Sequence, residues 1–446
     1  MGLTSVPRAA LAASFDLTAA LANAQPGATI VVPAGVYAGP LQIDKPVVLA
    51  GQAGAIIQGA GHGDVITINA AYVTIRGLVI RNSGDSLDQE NAGITVLAPH
   101  ATIEGNQMED VLFGIYLKNA PKSIIRNNVV LSMDLPEARR GDGIRVWYSE
   151  GALLEGNRVQ GTRDLIVWFS SNSIVRRNIV EQSRYGIHTM SSNNLLLEDN
   201  ILRHNSVGVY TMYGNGVTLR NNLIYDNRGS SGYGVGMKDV EKAVLTGNRL
   251  VSNRVGIYLD NSPRAAGVTV QADHNLFAYN EIGVILQPLV TRHRFTQNVF
   301  QENGEQVALG AEGTLKGNEW SHNGAGNYWS DYAGFDADGN QIGDLPYQAQ
   351  SLFEDLLEQY PELRLFQLSP ATDALDLAAK AFPIFQPRPK LADEAPLMVP
   401  PPLPVVPGLP TSPWLVNLCA ATGLLVLALL ILTLGANSLH RTYRKQ

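Results

Sequence analysis

Short apolar runs separated by one or two polar residues recur along this chain from about residue 28 to residue 325, as in IEGNQM, LEGNRV, LEDNIL and LTGNRL. One asparagine marks each period: Asn82, Asn106, Asn128, Asn157, Asn178, Asn200, Asn222, Asn248, Asn275, Asn298 and Asn318 stand 20 to 29 residues apart. A glycine series runs between them, Gly93, Gly114, Gly143, Gly186, Gly208, Gly234, Gly256 and Gly283, each followed by Ile or Val. Each run alternates inward and outward positions over only a few residues, which fits strands and not helices. A period this short, holding several strands, predicts a parallel β-solenoid; it lacks the long helices of ankyrin or tetratricopeptide repeats. The expected fold is therefore all-β, a right-handed parallel β-helix of the pectin-lyase-like type. Stacked asparagines are expected to form an internal amide ladder, each in the left-handed conformation at a corner. Glycine is expected to relieve the other corner's bend. Eleven coils about 4.8 Å apart make a rod roughly 50 Å long.

Such a rod needs covered ends. Residues 14–27 read as a capping helix, with Leu17 and Leu21 at helical spacing before Pro26-Gly27. Residues 326–385 read as the far cap, with helical stretches around Leu352 to Tyr360 and Leu375 to Phe382. Residues 386–413 are rich in proline and read as an extended linker, not a packed element. Residues 414–439 carry no charge and are long enough to cross a bilayer of about 30 Å as a helix. The basic tail 440–446 then stays in the cytoplasm and the solenoid lies outside, anchored by a single span. Residues 1–13, with Arg8 and a run of small residues, read as the final part of a signal peptide.

Charge and cysteine content narrow the functional classes. A net charge of −7 gives no basic patch suited to nucleic acid. The single Cys419 excludes a multi-cysteine zinc or iron–sulfur site.

Three candidate sites emerge from the coil offsets. His188 and Met190 follow Gly186, Tyr210 and Met212 follow Gly208, and Met237 follows Gly234 with a one-residue offset. Imidazole with thioethers on adjacent coils suits transient Cu(I); the same residues also read as an adaptable apolar docking stripe. Asp142 and Asp164 precede equivalent corners of neighbouring coils, near Arg140 and Arg163. They read either as the carboxylate pair of a glycoside hydrolase or as part of a surface ion network. In Asp336-Ala337-Asp338-Gly339-Asn340-Gln341-Ile342-Gly343-Asp344, oxygens of Asp336, Asp338, Asn340 and Asp344 with the Ile342 carbonyl have calcium-like spacing. Position twelve holds Tyr347 where an EF-hand has glutamate, and an Asx-rich turn reads equally well.

The segment GNYWSDYAGFDADGNQIGDLPY (Gly326 to Tyr347) and the coil Arg184-Tyr185-Gly186-Ile187-His188-Thr189-Met190 resemble the NosD family, periplasmic β-helix maturation factors of nitrous oxide reductase. The resemblance covers residues 28 to 398, and GNYWSDY is its most specific part. It implies a non-enzymatic partner of an ABC-type ATPase and permease, acting with a copper chaperone on the apo-reductase to assemble its copper–sulfide centre. The family pattern differs in having a recognisable signal peptide and no terminal membrane helix, and here Leu165 stands where a corner glycine is expected. Two functional classes follow: an extracytoplasmic assembly factor, or a carbohydrate-binding or polysaccharide-cleaving β-helix protein.

Overall fold

In the computed structural model, residues 15–310, 315–349 and 389–404 are described, with a few positions between 356 and 378. Strands three places apart along the chain pair in parallel, so the chain winds into three long sheets. Two sheets have 12 strands and one has 13, and the result is a right-handed β-solenoid. At about 4.8 Å per coil the rod is roughly 55 Å long. Inward positions hold Ile, Val and Leu almost throughout, for example Ile75, Ile103, Ile125, Leu154, Val175 and Leu197, all without exposure. The helix Leu17–Asn23 covers the first coil; the Asp16 carboxylate accepts from the Ala19 amide and Leu17 is buried.

The asparagine ladder is present, with altered membership and geometry. It runs from Asn106 through Asn298 to Asn327, each amide N–H donating to the Oδ1 of the next rung at 2.9 to 3.1 Å. Asn82 and Asn318 lie outside it: Asn82 donates to the Gly59 carbonyl, and Asn318 serves His293 and Val290. The rungs themselves are not left-handed. The residue just before takes that conformation, as at Asn127 (φ 54°), Asp199 (φ 54°) and Asn221 (φ 53°). A second ladder, Asn205, Asn227, Asn253, Asn280 and Asn303, stands five residues further on in each coil.

The glycine series also acts differently from expectation. None of its members has a left-handed φ. They sit where neighbouring backbones nearly touch: a Cβ on Gly186 would lie 2.5 Å from the Gly208 carbonyl oxygen. Where Leu165 replaces the glycine, the coil is one residue shorter and the register shifts between Asp164 and Ile166.

At the far end, GNYWSDY is the last rung of the solenoid. Tyr328–Trp329 pairs with Val299–Gln301, and Trp329 stacks between Phe300 and Tyr347 at 4.2 Å on each side. Asn327 donates its N–H to the buried Asp393 at 2.7 Å, and Trp329 Nε1 reaches the same carboxylate at 2.9 Å. Asp393 lies in the stretch expected to be an unpacked linker. Its strand, Leu391–Asp393, pairs antiparallel with Tyr347–Ala349, and Arg249 donates to the Pro404 carbonyl at 3.2 Å. The stretch around Leu391–Asp393 is thus packed on the rod, where Asp393 satisfies the ladder's last amide.

The helical stretches expected around 352–382 fall largely outside the described residues; Pro361–Phe366 forms a 3-10 turn. Residues 1–13 and the expected span Trp414–Leu439 also lie outside them. Among the described residues no helix is long and apolar enough to cross a membrane.

Candidate functional site

The third sheet, running from Leu41–Ile43 to Glu305–Leu309, carries the candidates on its outer face. Its central strands are Ile144–Trp147, Asp164–Trp168, Tyr185–Met190, Val207–Met212 and Tyr233–Lys238. Parallel register turns sequence offsets into outward columns. One column holds Tyr116, Arg145, Ile166, His188 and Tyr210; the next holds Lys118, Trp147, Trp168, Met190, Met212 and Lys238. His188, Met190 and Met212 therefore share one face, with the two thioether side chains adjacent and half-buried. Met237 does not join them. It pairs with Thr211 and Leu259 at inward positions and is fully buried in the core, because the one-residue offset turns its side chain through the sheet.

The structure also joins two candidates that sequence kept apart. Shortening at Leu165 brings the fully buried Asp164 under the next coil, where it meets His188: Nδ1 and Oδ2 are 3.3 Å apart. Arg184 grips the same carboxylate with two nitrogens, Nε to Oδ1 at 3.0 Å and Nη2 to Oδ2, and the Tyr185 amide donates to Oδ1 at 3.2 Å. Burial works against charge on Asp164, but the hydrogen bonds from His188 and Arg184 hold its carboxyl below the usual range. Asp142, also buried, goes the other way: burial and the neighbouring Asp164 charge raise it to about 7. Arg145 lies 3.7 Å from Asp142 and 3.0 Å from Glu90, with its guanidinium 4.9 Å from the centre of the Trp147 ring.

The imidazole of His188 sits in an aromatic box. Trp168 and Tyr185 meet it edge-on with ring centres 5.0 Å away, and Tyr210 stands at 6.2 Å. An ionised carboxylate only accepts, so Nδ1 carries the proton toward Asp164 and Nε2 is the ring's other nitrogen. Among the described residues that Nε2 is buried without a partner, as are Trp168 Nε1 and Arg145 Nε. A second, smaller apolar cluster flanks the site, where Leu87, Met133 and Leu135 from two inserted loops pack on Ala92, Leu112, Phe113 and Tyr116. Arg140 braces the second loop, donating to the Leu135 carbonyl at 2.8 Å and to the Gln182 carbonyl at 3.1 Å.

Sequence reasoning missed Trp168, Arg184, Arg145 and Glu90. The missing glycine at Leu165 was the signal for Arg184, since a deleted residue changes which side chains face each other across coils, whereas Arg145 and Trp168 stand at regular register in the outward columns. Asp142 and Asp164 are neighbours as expected, but both are buried and bound within the protein.

The Asp-rich loop does not converge on a point. Asp336 accepts from the amides of Gly339, Asn340 and Gln341, Asp338 from Asn340, and Asp344 from Ala337. Asn340 Oδ1 accepts from the Ile342 amide, and Ile342 bridges to Leu397. This is an Asx-rich turn, its carboxylates spent on its own backbone. Among the described residues no group of three or more His, Cys, Asp or Glu is gathered as a metal site.

Comparison with known proteins places this geometry. The family described as "Periplasmic copper-binding protein (NosD)" matches residues 132–334, the stretch that holds His188 and the GNYWSDY rung. A protein of Pseudomonas aeruginosa named as a probable ABC transporter binding protein NosD is 33% identical over 379 residues, 82% of this chain and 87% of that one. Its namesake in Stutzerimonas stutzeri is 30% identical over 82% of this chain and 86% of that one. Among solved structures, the catalytic domain of a GH87 α-1,3-glucanase in complex with nigerose shares the fold, with a TM-score of 0.52 and 15% identity. It covers 72% of this chain and 68% of the glucanase domain. The match extends along the solenoid at an identity high enough to define descent: this chain belongs to the NosD family.

Proposed function

We propose that this chain is an extracytoplasmic accessory factor that works with an ABC-type ATPase and permease, and with a copper chaperone, to mature the copper–sulfide centre of nitrous oxide reductase. Family membership supports an ABC-transporter partner and a periplasmic, copper-handling setting. One observation carries the reading at the level of the site: the outer face of the third sheet buries Asp164 in an ion pair with Arg184 and groups the buried His188 imidazole with the half-exposed thioethers of Met190 and Met212. That is a surface for soft-metal handling and docking. The uncharged span 414–439 would tether the solenoid to the membrane from outside.

A polysaccharide-cleaving activity is the second reading, because Asp142, raised to about 7, beside an ionised Asp164 has the acid and base character that glycoside hydrolysis needs. Burial weighs against it: Asp164 has no exposure and Asp142 only 4%.

The test is a deletion strain. The reductase polypeptide should accumulate at normal abundance and lack its copper–sulfide chromophore. A normal chromophore with altered polysaccharide breakdown would replace this reading with the enzymatic one.

A further inference from the structure

We propose that the aromatic rings on the outer face of the third sheet form a relay for one-electron oxidation. The relay takes a hole at Trp147 and Trp168 and rests it as a phenoxyl radical on Tyr210, Tyr233 or Tyr258, away from the Met190 and Met212 thioethers. It uses no metal and does not rest on the accessory reading above.

Oxidisable side chains make an almost unbroken line along the rod. Tyr148, half exposed at the corner, meets Trp147 edge-on with ring centres 5.6 Å apart, and Trp147 lies 5.5 Å from Trp168. Trp168 and Tyr185 each meet the His188 ring at 5.0 Å, so one imidazole stands between the indoles and the phenols. Tyr185 stacks on Tyr210 at 5.5 Å, and Tyr233 on Tyr258 at 4.4 Å. The two pairs come together over Gly236, where a Cβ would lie 2.4 Å from the Tyr210 ring and 3.3 Å from the Tyr233 ring. Glycine leaves room there for both. From Trp147 to Tyr258 the line crosses five coil spacings, about 24 Å.

Chemistry gives the line a direction. A small radical oxidant that takes one electron from an indole becomes an anion and leaves the indole radical cation. Such a cation ordinarily sheds its Nε1 proton, but among the described residues the Trp168 Nε1–H is buried with no acceptor. The hole therefore stays charged and strongly oxidising on Trp168. A tyrosine then returns the electron to the indole and loses its phenol proton to water, which reaches the partly buried rings of Tyr185, Tyr210, Tyr233 and Tyr258. The net change consumes one radical oxidant and one phenol and forms one anion, one proton and one phenoxyl radical. Nearby charge moves the hole onward. The Arg145 guanidinium lies 4.9 Å from Trp147 and that of Arg184 lies 4.4 Å from Tyr185, so a positive charge is disfavoured on either ring.

The neighbours that gain are the thioethers. Met190 and Met212 continue the column of Trp147 and Trp168 and are partly exposed. Oxidation to the sulfoxide would make these side chains polar and spoil their packing. Indoles and phenols give up an electron more readily than a thioether, so rings beside the sulfurs draw the oxidation away.

The experiment is pulse radiolysis of the purified full-length chain, with the azide radical as oxidant and the indole-radical and phenoxyl absorption bands as readout. In the wild-type chain the indole-radical band should decay as the phenoxyl band grows, in a first-order step whose rate is independent of protein concentration. Trp147→Phe with Trp168→Phe should remove that step. Tyr185→Phe with Tyr210→Phe keeps both rings and their packing, removes the nearest phenols and should slow the step several-fold. Tyr72→Phe is the control, an exposed tyrosine off the line that stacks on His100, and should leave the rate unchanged. Under steady exposure to azide radicals, peptide mass mapping should find more sulfoxide at Met190 and Met212 in the double tyrosine variant than in wild type. Indole-radical decay without phenoxyl growth, or a rate unchanged by the double tyrosine substitution, would overturn the relay. Equal sulfoxide in the two chains would overturn its protective role.

Discussion

Two regions of this solenoid bury polar side chains, and they do so in opposite ways. At the asparagine corner every amide has its partners: Asn200 accepts from Asn178 and donates to the Val175 carbonyl and to Asn222, and the pattern repeats from coil to coil. On the outer face of the third sheet, the network around Asp164 stops short. The carboxylate is saturated, yet among the described residues His188 Nε2, Trp168 Nε1 and Arg145 Nε have no partner. Repetition satisfies hydrogen bonds because each coil offers the next the same groups. Functional chemistry shows where the repeat is broken, here by the missing glycine at Leu165 and by the two inserted loops packed over Phe113 and Tyr116.

Breaking the satisfied region should have the largest effect on stability. Asn200→Ala strands the Asn178 backbone amide and takes the side-chain donor from the Val175 carbonyl in a dry interior, while Asn222 keeps its bond from the Asn200 backbone. At roughly 1 to 3 kcal/mol for each group left unpaired, partly relieved by relaxation, the cost should be on the order of 3 to 5 kcal/mol. Urea unfolding measures it, and the Cu(I) affinity of the folded fraction should not change. A loss below about 1 kcal/mol would mean that the ladder is decoration on a core that holds itself.

The pH dependence separates the two regions with smaller effects of opposite sign. Burial lowers His293, inside the far end of the scaffold, from 6.5 to about 4. A folded value below the unfolded one gives stability that is present above pH 6.5 and is lost as the pH falls toward 4, on the order of 3 kcal/mol in all. Asp142, beside Asp164, is raised from 3.8 to about 7 by burial and by that neighbour's charge. Its contribution is complete below pH 3.8 and is lost as the pH rises through 7. Urea unfolding between pH 4 and 8 should therefore show His293→Phe flattening the acid side and Asp142→Asn flattening the neutral side. A single substitution that removed both slopes would contradict the separation.

The sequence made the scaffold legible because stacking forces repetition, and repetition is visible in one chain. The strands, the Asn106 to Asn298 ladder, the N-terminal helix and the outward face shared by His188, Met190 and Met212 were all readable from spacing. Spacing failed where the period slips. Met237 was placed by offset alone, and one residue of register was enough to turn it into the core. Asn318 was counted as a rung because it keeps the interval, whereas the true last rung, Asn327, is nine residues later, within GNYWSDY. The Asp164 to His188 pair needed the deletion at Leu165 to be read as a shift in register, and the Asp393 contact joins residues 66 positions apart with no periodic signal.

The smallest change to the fold should have the largest functional meaning. Met190→Leu with Met212→Leu keeps volume and apolar character on the outer face and should cost less than about 1.5 kcal/mol at either position. The direct measurement is the copper content of nitrous oxide reductase purified from a deletion strain that expresses this double variant at wild-type level. The account predicts normal reductase abundance with copper content reduced toward that of the deletion. Full copper content would contradict the claim that this face of the third sheet handles the metal.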